Sequence, residues 1–232
     1  MRKKLSTPWS SISDLMAGLM MVFLFISISY AFQVTQQAVE LEQKSKKIAK
    51  IVEQYNDDRV LIYNSLIDKF GDRLDEWKAT IDQDTLTLRF NDPALLFKPG
   101  SSELTQRFAA ILSEFWIDYT EILVSYSGSI REVKIEGHTS SEWANATIEE
   151  SYFNNMKLSQ ERTTSTLFQC YQLTPERLRK WVRSFVTANG MSFSRRILDS
   201  QGNEDLDRSR RVEFTIVVDS KSTLDELKGE LK

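Results

Sequence analysis

With 232 residues, 41% of them hydrophobic and 27% charged, the chain has room for one domain of ordinary size plus accessory segments. A formal net charge of -3 and an ordinary composition leave no electrostatic footprint for nucleic acid. One cysteine, Cys170, excludes an intramolecular disulfide framework and a cysteine-rich zinc site, and with a single histidine any transition-metal site would be built mostly from carboxylates.

Arg2, Lys3 and Lys4 open the chain, and residues 15–32 carry no charge. With the uncharged flank 6–13, the run reaches the ~20 residues that cross ~30 Å of hydrocarbon. Residues 9–32 therefore read as one transmembrane helix, with Trp9 and Tyr30 at the interfaces. The positive-inside bias makes residues 1–8 a cytoplasmic tail and puts everything after Phe32 outside. The competing reading is a cleaved signal peptide, since Ser29-Tyr30-Ala31 resembles a small-x-small cleavage site. The length of the run, its polar start and the acid at position 14 favour an anchor.

Asp14 lies ~8 Å beyond Trp9 at 1.5 Å per residue. A carboxylate inserted there costs ~2.5–3.5 kcal/mol, so it should face a partner helix or a water path. The alternative is an Asp at the boundary that caps the helix, with Ser11 and Ser13 also suited to an N-terminus. Small residues at Ser10, Ala17, Gly18, Ser27 and Ala31 permit close contact with other membrane helices. A single span encloses no ion path, so proton transfer through Asp14 would need another membrane protein.

The stretch "DLMAGLMMVFLF" resembles the span of MotB-type stator subunits, and "PWSSISDLMAGLMMVFLF" is similar to the MotB-like subunit of Zorya anti-phage defence systems. The resemblance implies that Asp14 is the proton-carrying carboxylate. It also implies a MotA-like multi-span partner, ZorA, with five partner subunits around two copies of this chain. Protons would be the coupling ion, sodium being the alternative, and no cofactor is expected.

Residues 33–70 contain neither Pro nor Gly and read as a juxtamembrane helix. Val34, Ala38, Leu41, Ile48, Val52, Tyr55, Ile62 and Leu66 follow steps of three and four, with Ser45 and Arg59 as misses. That seam predicts a modest parallel coiled-coil dimer; the alternative is a helix lying on the globular domain. Gly71 is the expected helix stop, and the soluble domain is expected over 71–220, with 221–232 as a tail.

Within the domain, residues 85–90 alternate as a half-buried strand. Pro99-Gly100 marks a turn, and Ser101 or Ser102 is the expected cap of a helix burying Leu104, Phe108, Ile111, Leu112 and Phe115. Residues 130–136 form a strand ending at Gly137, and a helix covers 155–171. A third helix opens at Thr174-Pro175-Glu176, with Leu178, Trp181, Val182 and Phe185 inward, while 197–200 and 212–218 are strand candidates. The fold class is α+β, with helices on a small mixed sheet.

Three ordered blocks, "LLFKPGSSELT", "VKIEGHTSSE" with "NMKLSQERT", and "SRRVEFTIVV", resemble the OmpA-like peptidoglycan-binding domain. The resemblance implies a groove for the peptide stem beside Gly137 and the helix carrying Leu158. Asn155, Leu158 and Arg162 match the family's binding positions. Arg162 suits the free carboxylate of diaminopimelate, because a guanidinium offers a planar fork. Where the family usually has Asp after "GHT", this chain has Ser140, and Glu142 or Glu149 are the candidate replacements. Ser209 stands where Asn is common, leaving Arg210 and Arg211 as backbone-positioning or ligand-facing groups.

The plain structural readings are that His138 is a satisfied residue at a strand end, that Arg162 makes a surface pair with Glu161 or Glu142, and that Cys170 is a small buried hydrophobe. No nucleophile elbow, phosphate loop or metal pair with His argues for an enzyme. The expected protein is a single-pass inner-membrane stator subunit with a periplasmic anchor. Its rivals are the same motor serving a flagellum and a passive envelope tether without ion flux.

Overall fold

The computed structural model describes residues 8–218, with the side chains of residues 8, 10, 11, 51, 52 and 54–56 outside that description. The basic tail with Arg2, Lys3 and Lys4, the C-terminal tail, and the side chains of Ser10, Ser11, Val52 and Tyr55 therefore lie outside the described residues. The chain divides into two units, residues 1–53 and 54–232.

In the first unit the backbone is helical from Pro8, within α1 (Pro8–Phe70). Pro at the first position costs no hydrogen bond there. Asp14 is the seventh residue of α1, beyond the first turn, and so cannot cap it: only the first four N–H groups lack partners. The capping alternative is thereby removed. Residues 12–43 are exposed throughout, and one stretch, Ile12–Lys50, is long and apolar enough to cross a membrane. Ser27 Oγ and Thr35 Oγ1 donate to the carbonyls of Phe23 and Ala31, both at 2.8 Å, so these hydroxyls are satisfied inside their own helix. Glu40–Lys44 and Glu42–Lys46 are i,i+4 ion pairs beyond the apolar run.

The second unit is a sheet with helices on one face. Its strands are β1 (Ala79–Asp82), β2 (Thr87–Phe90), β3 (Ile130–His138), β4 (Val186–Gly190) and β5 (Arg211–Val218). Among the described residues their order is β1-β2-β5-β3-β4, with only β3 and β4 parallel. The helices are α2 (Pro93–Leu96), α3 (Gln106–Ser125), α4 (Ile148–Leu173), α5 (Glu176–Phe185) and α6 (Leu206–Ser209). Phe90 and Phe214 point from the sheet onto Phe108, Phe115, Trp116 and Tyr119, with ring centroids 5.4–6.2 Å apart.

Ile62, Leu66 and Phe70 of α1 are buried in this same core, Phe70 against Trp77 and Phe115. The seam expected to pair two copies thus turns inward at its last two positions, because the domain supplies an aromatic surface there. The domain's core begins before Gly71. Val34, Leu41 and Ile48 stay exposed.

Other local expectations shift for identifiable reasons. The cap of α3 is Thr105, whose Oγ1 accepts from Phe108 N, whereas Ser101 and Ser102 belong to a turn closed by the Phe97–Leu104 bridge. Helix α4 starts seven residues earlier than expected, because Thr147 and Glu150 form a capping box. The strand expected at 197–200 is only an isolated bridge, Leu198 to Glu204. β1 and β4 went unread because polar residues fill them, as edge positions allow.

Two glycines set how α4 lies on the sheet. A Cβ at Gly137 would meet Thr163 Cγ2 at 2.7 Å and Ser159 O at 2.9 Å, and one at Gly190 would meet Gln160 N at 2.5 Å. Gln160 also clamps β4, since its Oε1 accepts from Gly190 N and its Nε2 donates to Ala188 O. We expect Gly190→Ala to cost about 1–3 kcal/mol through overpacking. Thermal melting in detergent should show it as a drop of several degrees, at about 2–4 °C per kcal/mol for this size.

Candidate functional site: a charged cleft at the strand ends

Alternation along β3 and β5 gives the sheet a polar face opposite the aromatic core. Glu136, His138, Arg211 and Glu213 lie on it, each under a tenth exposed. Glu213 Oε1 accepts from Arg89 Nε at 2.6 Å and Arg211 Nε at 2.7 Å, and its Oε2 lies 3.3 Å from His138 Nε2. Arg211 Nη1 donates to the carbonyls of Arg195 and Ser209, so its fork is held by the protein. Ser209 is buried, and its Oγ accepts from Ile197 N at 3.0 Å.

Burial pushes the Glu213 carboxyl up, but His138 and Arg211 outweigh it and hold the group well below its usual 4.5. Burial pushes His138 below its usual 6.5, against the pull of Glu213. Glu136, His138 and Glu213 bring ligand-type atoms within 4.8 Å of one another, a grouping that sequence spacing did not announce. Arg89, Arg211 and Arg195 already pair with those carboxylates, so a cation there would sit among three guanidinium groups. The cluster is therefore a charge-paired support.

Beside it opens a cleft of about 1160 Å³. Its walls are α2 with Phe97 on one side and the α6 turn on the other, over the ends of β1, β3 and β5. Asp92 caps α2 by accepting from Ala94 N and Leu95 N, and so fixes that wall. Arg162 enters from α4. Its Nε donates to Ser101 O at 2.9 Å, and its guanidinium carbon lies 4.9 Å over the Phe97 ring. Burial, and secondarily the charge of Arg210, lowers the Arg162 pKa to about 10, which leaves it cationic at neutral pH. Arg210 pairs with Asp207 at 2.5 Å and Glu142 at 3.9 Å, while its Nε is buried without a partner among the described residues.

Of the residues expected from sequence, Arg162, Arg210 and Arg211 come together in the cleft. Ser140, Asn155 and Leu158 do not line it. Ser140 and Asn155 are buried, and Leu158 is half-buried. Asn155 Nδ2 donates to Ser151 Oγ and Glu142 O, which pins the loop before α4. Arg162 does not make the surface pair with Glu161 or Glu142; Ser101 O and Phe97 take its place. Glu142 does reach Arg210, whereas Glu149 stays in the exposed first turn of α4. Asp75, Lys78, Asp92 and Asp207 complete the charged lining and were not foreseen. Only the N-cap pattern Asp92-Pro93 carried a local signal.

The sheet order, the helix layer and the cleft define an OmpA/MotB-like domain, here preceded by a helix of membrane-spanning length. No family model matches the chain. Among solved structures, a MotB-like protein from Desulfovibrio vulgaris is 22% identical, covers 72% of this chain and 95% of its own, and superposes with a TM-score of 0.52. The periplasmic domain of Helicobacter pylori MotB is 13% identical over 62% of this chain and 80% of that one, with a TM-score of 0.43. In sequence, the Zorya protein ZorB of Escherichia coli (strain Crooks) is 44% identical over 214 residues, which is 91% of this chain and 88% of that protein. The chain belongs to the ZorB family.

The lowered Glu213 pKa has a sign. Its stabilisation is complete above the ordinary 4.5 and is lost as pH falls toward the folded value. The wild-type melting temperature should fall between about pH 5 and 3. Glu213→Gln should start about 3–5 kcal/mol less stable, with a flatter profile, because it strands buried guanidinium groups.

Proposed function

We propose that this chain is the peptidoglycan-anchored, ion-carrying subunit of an inner-membrane rotary motor that acts in anti-phage defence. The observation that carries the reading is Arg162, stacked on Phe97 in the cleft, in a chain whose residues 9–32 also form a membrane-length apolar run with one acid. A carboxylate entering the cleft meets Arg162, whose Nε is occupied by Ser101 while its Nη groups remain for a ligand. Peptidoglycan stems carry such carboxylates, so the domain would hold this subunit against the wall.

In the membrane, residues 9–32 would span with the N-terminus in the cytoplasm and the domain in the periplasm. Asp14 of each of two copies would take up and release protons along a path completed by a ring of five MotA-like ZorA subunits. Because the anchored copies stand still, each proton step would turn the ring. Apolar residues of α1 that stay exposed, among them Val34 and Leu41, support pairing of two copies. Residues 1–8, 9–32, 33–70, 71–220 and 221–232 would then be tail, span, spacer, anchor and tail, with the spacer's end built into the anchor's core.

Two experiments test the reading. Arg162→Glu should reduce co-sedimentation with purified sacculi at least tenfold, as loss of a charge-assisted pair requires; unchanged binding would mean the wrong groove. Asp14→Asn keeps shape and removes titration, so phage protection should be abolished while membrane insertion and sacculus binding persist. Wild-type protection by Asp14→Asn would leave a passive tether as the function.

A further inference from the structure

Lys78, Arg162, Arg210 and Arg211 line the cleft, and the fold has already paired two of these cations. Arg211 is held by Glu213 and two carbonyls, and Arg210 by Asp207 and Glu142. Arg162 and Lys78 line the same cleft without an ion pair among the described residues.

Lys78 occupies a backbone position that favours a different residue. In the turn before β1, Ala79 N donates to Leu74 O at 2.8 Å and Lys78 N to Asp75 O at 3.2 Å, the two bonds of a helix end closed by a left-handed residue. Lys78 is that residue, with φ +51°. Glycine is the usual occupant, because a Cβ costs free energy in that conformation. The Lys78 carbonyl accepts from Asn91 N at 3.1 Å, which ties the turn to the residue before Asp92, the cap of α2. A glycine would make all three bonds equally well, and none of them needs the ammonium. Lys78 is also exposed, and its four-carbon stem lets the ammonium swing to a ligand along that edge of the cleft.

At about 1160 Å³ the cleft has the size of pockets that enclose drug-sized ligands, far more than one carboxylate fills. We propose that it takes a ligand with two carboxylates, one held by Arg162 and the other by Lys78. The inference rests on the peptidoglycan reading of the cleft and narrows it. Stems with both carboxylates free are selected over stems with one of them amidated, and two contacts fix the direction of the stem where one guanidinium does not. Asp75 lines the same edge, without an ion pair among the described residues, and opposes a carboxylate there.

The test uses full-length protein in detergent. Lys78→Gly removes the ammonium and relieves the backbone, so it should melt no lower than wild type while its affinity for purified sacculi falls about fivefold, the upper end for an ion pair open to solvent. Lys78→Gln keeps the strained backbone and should lose as much. Asp75→Asn should bind about twofold tighter; weaker binding by that variant would make the acid the ligand-facing group and overturns the proposal.

A second measurement assigns the contact to a carboxylate. Titrated with a synthetic stem tripeptide and with derivatives that each have one carboxyl amidated, wild type should prefer the unmodified peptide. Lys78→Gln should bind one of the derivatives as well as wild type does, because the group that Lys78 meets is already neutral there. Equal weakening towards every derivative reduces Lys78 to a general charge effect and overturns the proposal. Sacculus binding that survives Arg162→Glu, or a stem peptide that wild type does not bind, removes the cleft reading and this inference together. Loss of binding in Arg162→Glu with wild-type affinity in both Lys78 variants removes the inference alone.

Discussion

The domain depends on the absence of side chains where α4 meets the sheet. At Gly137 and Gly190 the helix backbone comes within the distance a methyl group would need. Ser159 and Gln160 therefore sit directly on β3 and β4, and Ser159 Oγ accepts from Ser192 N just beyond. Arg162 follows two residues later on the same rigid helix, so its reach into the cleft is set by backbone contact. A bulkier residue at either glycine would lift the helix and move the guanidinium from Phe97.

Behind the cleft, a second constraint acts through charge. Glu213, itself buried, is shared by Arg211 and His138, both buried, and by the partly exposed Arg89. Such a cluster is costly unless nearly every polar atom is paired. Here the pairing absorbs Arg211, and Asp207 with Glu142 pairs Arg210, whereas Arg162 meets only a carbonyl and an aromatic ring among the described residues. The same carboxylate faces His138 Nε2 at 3.3 Å, so one side chain ties β2, β3 and β5 together on that face.

The two ends of the chain present opposite physical problems. Residues 12–32 expose a mostly apolar surface that water does not favour, with the Ser27 hydroxyl bonded back to its own helix. The domain instead buries its aromatic residues and collects charge on one sheet face. Between them lies a helical stretch whose polar residues pair along the helix and whose last apolar residues enter the domain's core.

The membrane-length run, the acid within it, the α+β class and the helix faces of α3 and α5 were legible in sequence, because each follows from a local period or from length alone. Arg162 was legible through three ordered blocks. Ile62 and Leu66 fit a pairing seam as well as a core, since a stripe does not say what covers it, and only the packed domain decided. β1 and β4 carry little apolar pattern, and their existence follows from neighbours that need a partner strand. His138, Asp92 and Asp207 lie far apart in the chain, so their meeting at one cleft had no local signature. Sequence alone determined which residues can bear charge and which helix can enter lipid, because those are properties of composition. Tertiary structure decided which charged groups of the cleft stay without an ion pair, because that depends on which groups the fold has already paired.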